Sequence, residues 1–277
     1  MTLKGLVDMI SILRLVTPIA ALMLLSPLAA AQTPPAPSSS PPSAMTPAAT
    51  PAGSFSADQR QQIENIIKTY LVAHPEVLQD AMDALDKKQK EADADKARAT
   101  IKSENATIFN SPHQVVLGNP NGNVAVAEFF DYNCAFCKRA LPDMLTLLKT
   151  NPNLKFVLKE FPVLGPGSVE AAHVAVAARM QDPSGKKYIE FHQKLLGGRG
   201  PADKARALAV AKEVGFDTAR LEKDMGSDEV KKTIDEDMKL ADALGVSGTP
   251  SYVVGDEVVV GAVGLDALKE KIAAERK

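Results

Sequence analysis

One stretch constrains this chain more than any other: "VAVAEFFDYNCAFCKRALPDMLTLLKT", Val124 to Thr150. Its first seven residues are apolar except for Glu128. Such a run is short for a helix and rich enough in Val and Phe for a strand covered on both faces. Four residues later the spacing turns helical, and Cys134 and Cys137, the only cysteines in the chain, stand at that junction. A covered strand leading straight into a helix calls for a layered α/β architecture.

The rest of the order fits. "LKFVLKEF" reads as a second strand, and the pattern is then helical from about 169 to 244, interrupted at "DPSGK", "GGRGP", "GFD" and "GSD". "SYVV" and "EVVV" read as a strand pair joined at Gly255-Asp256, and "LDALKEKIAAE" as a closing helix. Strand–helix–strand, a helical block, then strand–strand–helix is a thioredoxin fold with a helical insertion. This α/β region is expected over 111–277.

Two cysteines three apart allow three chemistries. A purely structural disulfide would close a very short ring and stabilise little. A metal site needs about four ligands, and His74, His113, His173 and His192 form no spaced pair; thiols shared between chains could still hold a soft metal such as copper. Redox exchange needs one accessible thiolate and one thiol to resolve the mixed disulfide. The unpaired N–H groups and dipole at a helix N-terminus favour an anion. Cys134 therefore reads as the nucleophile, and Cys137, one turn on, as the resolving thiol. Glu128 shares a strand face with Val126 and Phe130. There it is either a buried acid able to pass a proton to or from Cys137 or an edge-strand charge. "VSGTPSYVV" puts Pro250 just before an extended run, as either a cis-proline loop facing the cysteines or an ordinary trans turn.

The N-terminal third has a different character. Lys4 and Arg14 precede "LVTPIAALMLLSPLAAA", which ends in an Ala29-x-Ala31 pattern. This reads as an export signal over 1–31, or as an uncleaved anchor that Pro18 and Pro27 leave short for a span. Export implies an oxidising compartment, the periplasm. Residues 32–54, rich in Pro, Ser and Ala, cannot bury a core and read as a disordered linker. From 55 to 110 the chain reads as helical. Ser56 with Gln59 forms a capping box, Ile63, Ile66, Ile67, Tyr70 and Leu71 recur at helical spacing, and Pro75 restarts the helix. Leu78, Leu85, Ala92, Ala99 and Ala106 follow a thin heptad frame, either a solvated helix lying along a domain or an oligomerising stalk. The apolar residues outnumber what two helices can hide, which favours partner chains.

A net charge of −2, no Trp and 5% aromatic residues leave no surface suited to nucleic acid. No cofactor is implied.

Three motifs, "EFFDYNCAFCKRALPDM", "KEFPVLGPGSVEAA" and "GVSGTPSYVVG", together resemble the DsbA-type branch of the thioredoxin superfamily. "YLVAHPEVLQDAMDALDKKQ" resembles the N-terminal region of ScsC-like periplasmic proteins. The resemblance implies thiol–disulfide chemistry at Cys134 and Cys137, a proton relay at Glu128, and a substrate-facing surface at Ala135, Phe136, Thr249 and Pro250. The strong oxidants of the family carry Pro-His between the cysteines, where this chain has Ala135-Phe136. With Thr249 before the proline, the pattern points to an isomerase or reductase rather than a DsbA-like dithiol oxidase. The resemblance further implies a homotrimer built on the N-terminal helices, misfolded or disulfide-containing exported proteins as substrates, and a membrane thiol reductase of the DsbD/ScsB type as electron donor.

Overall fold

The helical region opens with a reciprocal cap. The Gln59 N–H donates to Ser56 Oγ (3.2 Å) and the Ser56 N–H to Gln59 Oε1 (2.9 Å), which pairs donors that a helix start leaves free. The computed structural model of the protein describes residues 55–275; the leader read at 1–31 and the linker read at 32–54 lie outside the described residues. Of the unit 1–61 the described part is residues 55–61, the first turn of helix α1 (Ala57–Ala73) with the two residues before it, and the remaining described residues belong to the unit 62–277. Pro75 opens α2 (Glu76–Ser103), and a short α3 (Asn105–Asn110) follows. Helix α1 buries no residue and α2 buries one, Ile101.

The sheet has five strands: β1 (Val115–Gly118), β2 (Val124–Phe130), β3 (Leu154–Glu160), β4 (Ser251–Val254) and β5 (Glu257–Val260). Their order is β1-β3-β2-β4-β5. Strands β2 and β3 pair in parallel, linked by α4 (Ala135–Thr150), and the other neighbours are antiparallel. The central place of β2 explains its nearly unbroken apolar run, since both faces are covered. Its alternation divides two cores. Val124, Val126 and Phe130 join the larger one with α4, α10 (Leu265–Ala274) and the helical block. Ala127 and Phe129 join a smaller one on the opposite face.

The helical block comprises α5 (Pro166–Gln181), α6 (Lys186–Leu196), α7 (Lys204–Val214), α8 (Thr218–Asp224) and α9 (Asp228–Ala243). Its interruptions fall at the four breaks read from the sequence. One is Gly215, which closes α7 at φ 89°, a left-handed cap that glycine adopts without strain.

The smaller core holds a finding the sequence did not yield. Ile101, Ile108 and Phe109 pack there with Val157, Phe161, Leu240 and Leu244. The last turn of α2 and the second half of α3 thus pack on the sheet, although the reading placed 55–110 with the stalk. A buried ion pair secures the join: Lys159 Nζ donates to the Thr107 carbonyl (2.7 Å) and lies 3.3 Å from Asp237 Oδ1. Among the described residues no helix is long and apolar enough to cross a membrane.

Candidate active site

Strand β2 delivers the chain to the start of α4. Cys134 is the residue before the helix, extended at φ −75°, ψ 118°, and Cys137 lies in the first turn. Both are free thiols. The sequence reading expected an open Cys134. Instead the residue is 5% exposed, and its thiol donates to the main-chain carbonyl of Thr249 (3.1 Å). The cover is one loop deep, and the residues around it are open: Phe136 is 53% exposed, Val163 41% and Leu164 54%. The Arg139 guanidinium sits 4.2 Å from the centre of the Phe136 ring, which holds that ring outward.

The Thr249-Pro250 peptide bond is cis. The Thr249 carbonyl accepts from the Cys134 thiol, and the Thr249 side chain lies near the Cys137 sulfur. Cys137 itself is fully covered. Burial pushes its thiol well above the ordinary range, and the nearby Glu128 carboxylate pushes it further in the same direction; the Asp131 N–H and the Thr249 hydroxyl pull the other way.

Glu128 is 3% exposed, on the face of β2 that Val126 and Phe130 share. Burial raises its pKa to about 8, and its cross-strand neighbour Tyr252, bonding through the hydroxyl, offsets part of the rise. An acid with a pKa near the working pH can take a proton and return it. Tyr252 was missed from sequence, where nothing marks it until the β2–β4 register is known.

Three further groups were also missed. Asp131 and Asn133 bind the loop before the cysteines to neighbouring loops. Tyr132 hydrogen-bonds beneath it to Tyr188 (3.1 Å) and His192 Nδ1 (3.3 Å), and Tyr188 donates to Glu160 Oε1 (3.1 Å). His192 is neutral, because burial drops its pKa to about 3. Among the described residues no group of three or more His, Cys, Asp or Glu side chains could hold a metal ion.

The fold that carries these residues agrees with comparisons to known proteins. The model of the DSBA-like thioredoxin domain matches residues 125–273. The chain belongs to that family. Its thioredoxin-like region therefore has the fold of that family. The model of the copper resistance protein ScsC N-terminal domain matches residues 59–92. A thioredoxin-like oxidoreductase from Silicibacter pomeroyi is 44% identical, covering 62% of this chain and 96% of that one, at a TM-score of 0.59. Proteus mirabilis ScsC in a transitional conformation is 27% identical, covering 80% of this chain and 98% of that one, also at 0.59. A curated relative, a Na(+)/H(+) antiporter NhaA 1 from Salinispora arenicola, is 29% identical over 161 residues, 57% of this chain. The chain spans only 24% of that antiporter's length.

Proposed function

We propose that the protein is a periplasmic protein disulfide isomerase and reductase whose redox site is Cys134-Ala135-Phe136-Cys137. The observation that carries the reading is the stacking of functions around two sulfurs: Cys134 at the mouth beside Thr249, Cys137 beneath it beside Glu128.

The steps follow from that order. The Cys134 thiolate attacks one sulfur of a substrate disulfide, forming a mixed disulfide and releasing the other substrate sulfur as a thiolate. In isomerisation a different substrate thiolate attacks the substrate sulfur of that mixed disulfide. A new substrate disulfide forms and Cys134 leaves as a thiolate. In reduction Cys137 attacks Cys134 instead, so the protein becomes oxidised and the second substrate thiol departs. Cys137 must lose a proton to do this, and its burial makes that costly. Glu128 takes the proton and returns it when a reductant restores the dithiol. The reductant is a membrane thiol reductase of the DsbD/ScsB type, a partner implied by the family resemblance.

Misfolded exported proteins suit the surface. Phe136, Val163 and Leu164 form an exposed apolar rim beside the cysteine loop, fit to receive the apolar stretches that a misfolded chain displays. Ala135 lets a polypeptide approach closely.

The N-terminal helices serve assembly. Ile66, Ile67, Tyr70, Leu78, Met82 and Leu85 are all more than half exposed. Covering each is worth roughly 1.5–3 kcal/mol, and the occupants are further copies of this chain, three in all by the ScsC-like resemblance. Helix α2, with 28 residues, would span about 42 Å at 1.5 Å per residue and hold the catalytic domains apart. Several sites on one scaffold raise the effective concentration at which a held substrate meets a second thiolate.

Refolding of a scrambled disulfide protein tests the proposal. The reduced intact protein is expected to restore activity to the substrate, and Cys134→Ser to abolish that. Disulfide formation in a reduced substrate without any reshuffling would mark it as a dithiol oxidase instead.

A further inference from the structure

Asp131 has no part in the exchange steps, yet its carboxylate is fully engaged. It is 2% exposed. Oδ1 accepts from the Asn133 N–H (2.7 Å) and the Ser168 hydroxyl (2.7 Å). Oδ2 accepts from the N–H groups of Val163 (2.9 Å) and Leu164 (3.0 Å). A carboxylate offers about four lone-pair sites, and here they hold two loops together.

The main chain of the same residue meets both cysteines. Its carbonyl accepts from the Cys134 N–H (3.0 Å), and its N–H lies near enough to the Cys137 sulfur to favour the thiolate there. Asn133 extends the clamp to a third segment: its side chain donates to the Ala202 carbonyl (2.8 Å) and accepts from the Ala202 N–H (2.7 Å).

We propose that Asp131 is a positioning residue for thiol–disulfide exchange. Its carboxylate fastens the cysteine loop to the Val163–Leu164 loop, so the apolar rim and the hydrogen-bond surroundings of both sulfurs are set together. A neutral amide cannot replace it. Asparagine has a single acceptor oxygen and would point two donors at groups that are themselves donors, so one of the two loops must let go. The inference deepens the reading of the rim and of Cys137 as the resolving thiol.

The experiment is the equilibrium between protein and glutathione, in which one protein disulfide and two glutathiones give one protein dithiol and one glutathione disulfide. Asp131→Asn should displace it severalfold toward the protein disulfide, because the dithiol is the form whose loops the carboxylate holds. Circular dichroism and the melting temperature establish that the variant is folded. A folded Asp131→Asn with the wild-type constant overturns the proposal. If that variant does not fold, Ser168→Ala decides, since it removes one of the four donors and leaves the carboxylate in place. A shift of twofold or more in the same direction supports the clamp, and the wild-type constant sinks it. The rim is judged separately. Leu164→Ser should raise KM for a disulfide-bonded apolar peptide; an unchanged KM would remove the rim and leave the glutathione result standing.

Discussion

Replacing Glu128 with glutamine should make the protein more stable at alkaline pH while slowing its chemistry. Burial raises the Glu128 pKa from 4.5 to about 8. Between those values the folded state binds a proton that the unfolded chain has released, so this group's contribution to stability falls as pH rises through that window. At ~1.4 kcal/mol per pH unit, the full loss approaches 5 kcal/mol above pH 8, with about 3 kcal/mol already gone at pH 7. Glutamine fills nearly the same space, can hydrogen-bond to Tyr252, and carries no charge at any pH. The assay is urea denaturation of the reduced wild type and of Glu128→Gln at pH 5 and pH 8. Asp237 also titrates in this range, at about 7, but it is present in both proteins and cancels in their difference. Glu128→Gln should gain several kcal/mol on wild type between pH 5 and pH 8, while the resolution of a mixed disulfide slows by roughly one to two orders of magnitude, the ordinary worth of a positioned acid–base group. Parallel stability profiles would refute a buried, proton-holding Glu128.

Three other outcomes follow. Thr249→Val removes the hydroxyl beside Cys137 and should slow release of a bound substrate about tenfold; stopped-flow kinetics with an unchanged rate would take the hydroxyl out of the mechanism. Asp237→Ala strands Lys159, which is fully buried, and should cost roughly 3–5 kcal/mol in denaturant unfolding, with Lys159→Met in the same chain restoring much of it. Light scattering should give a trimer for the chain from Phe55 and a monomer for one starting near Asp95, a cut that spares the buried Ile101; equal masses would remove the N-terminal helices from assembly.

The parts of this fold legible in the sequence were those with local signatures. The β2–α4 junction, the Gly- and Pro-marked breaks of the helical block, the Ser56–Gln59 cap and the loop before Pro250 depend on residues close together in the chain. Strand β1 is four residues long, too short for alternation to register, and exists because β3 offers it a pairing edge. The smaller core escaped for a different reason: Ile101, Ile108 and Phe109 look like the thin end of a helical stripe until the far face of the sheet is there to receive them. At the site, Glu128 stood out as an acid in an apolar strand. Asp131 looked like an ordinary loop acid, because three of its four donors come from residues 32 to 37 positions downstream. The loop before Pro250 was read as one that could face the cysteines, but the carbonyl it lays over Cys134, from position 249, has no local signature.

The central claim is that Cys134 attacks and Cys137 resolves, and trapping tests it most directly. The Cys137→Ala variant, mixed with a disulfide-bonded polypeptide and analysed by mass spectrometry without reductant, should accumulate a mixed disulfide on Cys134. The Cys134→Ala variant should accumulate almost none on its buried Cys137. Equal adducts on both variants, or none on either, would contradict the assignment.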